Sequence, residues 1–128
     1  MLTLMAPVSA DVVVIVSRES LIESLTRTEL TDVFLGRITH FPNGERLVPL
    51  DQAEASPAHD SFYREYLDKS PAQIKAHWTK LIFTGRGQPP RSATNDDEVI
   101  DVVATNPGTI GYIDSGNVDE RVRVILIE

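Results

Sequence analysis

The chain has 128 residues, 41% hydrophobic and 24% charged, with a formal net charge of −7. That length buries a sizeable core in one domain, the acidic balance speaks against a nucleic-acid or anionic-lipid surface, which requires a basic face, and no apolar run approaches the ~20 residues of a membrane span. There is no cysteine, which removes disulfides, thiolate catalysis and Cys-ligated zinc together.

The first ten residues, MLTLMAPVSA, are apolar at Leu2, Leu4, Met5, Ala6 and Val8, and Val8-Ser9-Ala10 fits a small-residue cleavage site before Asp11. The favoured reading is the tail of an export signal whose basic start lies upstream. A frayed terminus leading into the first strand is the alternative. The expected organisation is therefore a signal remnant over 1–10 and a single domain over 11–128.

Residues 12–16 (VVVIV) are a continuous β-branched run, the pattern of a strand buried on both faces, as in a parallel sheet. Thr26-x-x-Glu29 predicts a capping box, with Leu30, Val33 and Phe34 as the apolar stripe and Gly36 ending the helix. Pro42-Asn43-Gly44-Glu45 marks a turn. Residues 47–50 form a second strand, and Pro49 inside it points to an edge or strand-end position.

Two helix starts follow with the same grammar. Ser56-Pro57 and Ser70-Pro71 each place a hydroxyl at the N-cap and proline at the first helical position, and Gln73 completes a capping box in the second. The first helix is expected to reach about Leu67, burying Phe62, Tyr66 and Tyr63. The second reaches about Phe83, burying Ile74, Trp78, Leu81 and Ile82. Residues 84–92 (TGRGQPPRS) are too rich in Gly and Pro for regular structure. Asn95-Asp96-Asp97-Glu98 opens another helix with an acidic first turn that suits the helix dipole. Val99, Ile100, Val102 and Val103 give its apolar face. Pro107 discourages helical geometry at Asn106, and Gly108 supplies the positive φ of a sharp reversal into a buried strand at 110–113. Val122, Val124 and Leu126 alternate in a closing strand. The order β-α-β-α-α-α-β-β implies a mixed, mostly parallel sheet of about four or five strands flanked by helices.

Catalytic signatures are weak. His40, His59 and His77 match no metal-ligand spacing, and nucleophile-elbow, Walker and dinucleotide motifs are absent. Asp51 and Asp60 are candidates to meet in space as a carboxylate pair, although their spacing does not demand it. No enzyme activity, metal or cofactor is expected. The best site is the junction 51–60 (DQAEASPAHD), where a strand end feeds a helix N-terminus; in open α/β sheets ligands collect there. The Ser56 hydroxyl, the N–H groups of Ala58, His59 and Asp60 and a protonated His59 can hold an oxyanion, or Ser56 merely caps its own helix. Ser17 and Arg18 follow the first strand and are expected at the same sheet edge. Arg18 is the nearest anion-pairing cation, or a solvated loop charge paired with Glu19.

Residues 12–16, 30–43 (LTDVFLGRITHFPN), 62–67 and Asn106-Pro107-Gly108-Thr109-Ile110-Gly111-Tyr112, taken in order, resemble the substrate-binding protein of the ABC phosphate transporter. The likeness spans most of the chain from Asp11. It is greatest to short single-lobe members, in which Lys69-Ser70-Pro71-Ala72-Gln73 and 82–90 (IFTGRGQPP) are also similar. The resemblance implies one lobe of a type II periplasmic-binding-protein fold, in a family whose phosphate sits between two lobes. It implies a periplasmic location and an anion loop ending in Ser-Gly-Thr, with an arginine shortly before. Ser56 matches the serine; Pro57 and Ala58 stand where glycine and threonine would be, and Gln52 stands near the arginine's place. The expected ligand-binding set is thus Ser17, Arg18, Gln52, Ser56, Ala58 and His59. The expected activity is weak or partner-assisted binding of phosphate or a similar oxyanion. The alternative is a non-catalytic interaction module, docking to a protein partner or a second copy, that kept the lobe fold but lost tight ligand binding.

Overall fold

The computed structural model of the protein describes residues 11–41 and 43–128. The expected signal remnant at 1–10 lies outside the described residues. The elements are β1 (Val12–Ser17), β2 (Ser24–Leu25), α1 (Arg27–Phe34), β3 (Val48–Gln52), α2 (Pro57–Phe62), which continues as a π-helical turn over Tyr63–Leu67, α3 (Pro71–Phe83), β4 (Arg91–Ala93), α4 (Asp96–Thr105), β5 (Thr109–Asp114), a 3₁₀ turn at Ser115–Asn117, β6 (Val122–Val124) and β7 (Leu126–Ile127).

One five-stranded sheet, in the order β4-β3-β5-β1-β6, organises the molecule, and β2 and β7 form a small parallel pair beside it. β4, β3 and β5 are mutually parallel, and β1 runs antiparallel to both β5 and β6. The sheet is therefore mixed and mostly parallel, with one reversed strand. β1 is buried on both faces as its composition predicts, but its direction is a correction. A continuous apolar run reports that both faces are covered, and it carries no information about strand direction.

Alternation along the central strands divides the core in two. Val12, Val14 and Val16 of β1, with Ile110 and Tyr112 of β5, face α1, α2 and α3. Ile15, Ile113 and Leu50 face α4 through Val99, Ile100 and Val103. The first layer holds the aromatic mass: Phe62 stacks on Tyr112 with ring centroids 3.9 Å apart, and Phe34 tilts against Phe62 at 4.8 Å. Trp78 of α3 is buried, whereas Ile82 is half exposed and Phe83 is 90% exposed, so the end of α3 leaves the core earlier than its sequence suggests.

Helix ends follow their local chemistry. Thr26 with Glu29 and Ser70 with Gln73 form reciprocal capping boxes, Ser56 and Asn95 cap α2 and α4, and Gly36 takes φ +78° after α1. Gly108 departs from expectation. It lies outside the positive-φ region, and glycine is required there because a Cβ would meet the Arg46 carbonyl oxygen at 2.9 Å. Gly111 has a similar role within β5: a Cβ would sit 2.8 Å from Val99 Cγ1, so its absence lets α4 approach the sheet. The short strand β4, inside a segment expected to be irregular, pairs with β3 through Leu50↔Arg91, Asp51↔Ser92 and Gln52↔Ala93.

Candidate functional site

β3 and β4 are neighbouring parallel strands, and each feeds a helix: β3 leads through Ser56 into α2, and β4 leads through Asn95 into α4. Both helix starts therefore open at the carboxyl ends of the two strands. Between them lies a pocket of about 560 Å³, walled by Ser56, Pro57, Thr94, Asn95, Asp96 and Asp97, with Asn117 at its rim. This is the crevice position in which open α/β sheets bind ligands.

The hydrogen bonds around the pocket form one connected set. Gln52 is buried; its Nε2 donates to Asp96 Oδ1 at 2.8 Å and to the Tyr112 carbonyl at 2.8 Å. Ser56 Oγ donates to Gln52 Oε1 and accepts the Ala58 N–H at 3.3 Å. Asp96 Oδ2 accepts from the Asp114 N–H at 3.1 Å and from Asn117 Nδ2 at 2.8 Å. The donors of the two helix starts are largely taken by their own caps. The His59 N–H reaches the Ser56 carbonyl at 3.1 Å, and the Glu98 N–H reaches Asn95 Oδ1 at 3.0 Å. Two carboxylates, Asp96 and Asp97, stand on the pocket wall, and its lining holds no lysine or arginine.

A second hollow of about 340 Å³ lies on the α3 side of β3, lined by Asp51, Gln52, His59 and Trp78 among others. Asp51 is the hub there. The hydroxyls of Tyr63, at 2.5 Å, and Tyr112 donate to its two oxygens, and the Gln52 N–H donates to Oδ1 at 2.8 Å. Burial pushes both phenols far above their ordinary range, and the Asp51 charge pushes them the same way. His59 is buried against Tyr63, with ring centroids 4.9 Å apart, and its Nδ1 lies 3.0 Å from Asp60 Oδ1. Asp60 is exposed with its carboxylate at His59, and Asp51 is buried with its carboxylate held by Tyr63 and Tyr112.

The expected ligand set is thus divided. Ser56 opens on the first pocket, His59 on the second, and Gln52 lies between them with its amide committed to the protein. Ala58 is buried, its N–H held by Ser56 Oγ. Ser17 and Arg18 are a correction. β1 is reversed: Val16 pairs with Ile110 while Val12 pairs with Asp114, and Pro49 at the start of β3 also aligns with Ile110. The end of β1 therefore lies at the opposite end of the sheet from Ser56, at least ~10 Å away along the strands. Thr94, Asn95, Asp96 and Asn117 were not anticipated as pocket residues. Asn95 is readable as a cap, but its place beside Ser56 depends on β4.

The chain matches no family model and no curated protein. The arrangement of strands and helices is nevertheless that of phosphate-transport receptors. An ABC-type phosphate transport receptor from Vibrio cholerae superposes with a TM-score of 0.71 at 17% identity, over 92% of this chain and 46% of that one. A protein described as a phosphate ABC transporter substrate-binding protein, with bound phosphate, from Clostridium perfringens gives 0.69 at 19% identity, over 92% and 45%. PstS from Borrelia burgdorferi gives 0.71 at 18% identity, over 93% and 47%. The chain has the fold of part of these substrate-binding proteins and spans about half their length. Among the described residues, no helix is long and apolar enough to cross a membrane.

Proposed function

We propose that this protein is a non-enzymatic, periplasmic solute-binding lobe that engages phosphate, or a similar oxyanion, weakly at the Ser56 pocket. The observation that carries the reading is the fold likeness over 92% of the chain to a substrate-binding protein with bound phosphate, joined to a pocket at a strand-to-helix junction. The Asn95 amide and the second Nδ2 proton of Asn117 supply donors, while the Ser56 proton is held by Gln52 Oε1 and its oxygen is left to accept. Asp96 and Asp97 set the limit, because a carboxylate wall repels a dianion. The same wall accepts a hydrogen bond from a protonated phosphate oxygen, so the monoanion is the favoured form.

Calorimetric titration tests this. Phosphate is expected to bind in the millimolar range, more tightly at about pH 6 than at about pH 8, where the dianion dominates. Sulfate, which carries no proton in that range, is expected to bind less. Ser56→Ala is expected to weaken phosphate binding. Absence of heat at millimolar phosphate, with Ser56→Ala identical to the parent, rules the reading out.

The closed hydrogen-bond set of Gln52, Ser56 and Asp96 favours a second reading, a lobe that kept its fold and now docks to another protein. Size-exclusion chromatography with pull-down from a periplasmic extract separates the two. A strictly monomeric protein that captures nothing counts against docking.

A further inference from the structure

We infer that a separate pocket, at the opposite end of the sheet from Ser56, is a binding site for a small organic anion with an apolar body. It has a volume of about 390 Å³ and is lined by Arg46 and Arg91 together with Val48, Pro49, Leu50 and Val102, and closed on one side by the turn at Asn106-Pro107-Gly108. That size falls within the range of small-molecule sites.

The charge of this pocket runs against the character of the chain. In a protein of net charge −7, its lining includes two arginines and no acidic residue. Among the described residues, no acid lies within ion-pair distance of Arg46. Arg91 reaches Glu98 only at 3.8 Å, and the other Glu98 oxygen is occupied by the Thr94 N–H at 2.7 Å. The carbonyl end of α4 opposes an anion with roughly half a charge, and two full positive charges outweigh it. Guanidinium forks match carboxylate and phosphate oxygens in pairs.

Both arginines stand on anchored backbone. Arg91 is paired with Leu50 in the sheet. The Arg46 carbonyl is approached closely by Gly108, and the next-but-one N–H, that of Val48, donates to the Gly108 carbonyl at 2.8 Å. Val48 is 42% exposed although β3 lies inside the sheet. Its exposed surface forms part of the pocket wall, so an apolar group on the ligand gains contacts that a bare inorganic ion does not make.

The site does not depend on the phosphate reading of the Ser56 pocket. An amide chemical-shift titration with phenyl phosphate tests it. The Val48, Gly108 and Arg91 amides are expected to move, and to saturate at lower probe concentration than any shift at Ala58 and Asp96. The double variant Arg46→Ala/Arg91→Ala is expected to weaken binding about tenfold or more, and Ser56→Ala to leave it unchanged. Both arginine side chains are exposed, so the variant retains the fold. Shifts confined to the Ser56 pocket, no shifts at about 10 mM probe, or an unaltered affinity in the double variant overturns the proposal. Inorganic phosphate titrated in parallel reads the Ser56 pocket through Ala58 and Asp96, so each proposal fails on its own signals.

Discussion

The Tyr112 hydroxyl of β5 donates to the Asp51 carboxylate of β3, and Tyr63, beyond α2, donates to the other oxygen of the same carboxylate. This joins the neighbouring strand, the central sheet and the helical layer at one buried acid.

Asp51→Ala is expected to destabilise the protein by at least about 2 kcal/mol, because it strands two buried phenol donors and leaves the Gln52 N–H only the Tyr112 hydroxyl oxygen at 3.2 Å. Tyr63→Phe and Tyr112→Phe each remove one donor and leave Asp51 with others, and each is expected to cost about 1–2 kcal/mol. Urea unfolding midpoints measure the difference. Equal losses for all three variants contradict the hub.

The same phenols make stability sensitive to alkali. Burial raises their folded-state values above that of the unfolded chain, so the folded protein holds both protons more tightly. Stability from this source is complete below the unfolded tyrosine value of about 10 and falls above it, by about 1.4 kcal/mol per pH unit for each tyrosine. Unfolding measured between about pH 10 and 12 should show that slope, reduced by one proton in Tyr63→Phe or Tyr112→Phe. A slope identical in parent and variants refutes the assignment.

At Gly111, added volume is expected to be worse than lost flexibility is good. The new methyl of Gly111→Ala would face Val99 Cγ1 at 2.8 Å and Val103 Cγ2 at 3.4 Å. Pushing α4 off the sheet is expected to cost about 1–3 kcal/mol. Pairing it with Val99→Ala should recover part of the loss, because the methyl at 2.8 Å is gone while Val103 Cγ2 stays. Thermal melts of the two variants read this directly.

Along α3, neighbouring turns are expected to differ sharply. Trp78 is buried against α1, with Gly36 close to its ring, and Trp78→Ala is expected to cost about 3–5 kcal/mol. Phe83, 90% exposed, is expected to change stability by no more than about 0.5 kcal/mol on replacement by serine. A large loss at Phe83 would mean that the end of α3 is covered in solution.

Local grammar carried much of the fold. The capping pairs Thr26/Glu29 and Ser70/Gln73, Gly36 after α1, and the stop at Asn106-Pro107 each act through neighbouring residues, so they are readable in a linear sequence. What depended on distant partners was harder to read. The direction of β1 is set by which strands flank it, and its Val-Ile run is the same either way. β4 is three residues long and follows two prolines, so its strand character comes from pairing with β3 rather than from propensity. The candidate site suffered from both gaps. Ser56 and Asn95 are each legible as caps, but their meeting in one pocket required β4, and the reversal of β1 carried Ser17 and Arg18 away from them.

The reversed strand also bears on how the molecule is made. β1 holds residues 12–17, yet its hydrogen-bonding neighbours are β5 and β6, roughly a hundred positions later. During synthesis this apolar segment emerges well before its two strand neighbours and waits for them. Its unpaired edges are meanwhile available to other chains. Export or chaperone capture before folding would shield that interval, and a nascent chain stalled short of β5 should be the most aggregation-prone species the protein passes through.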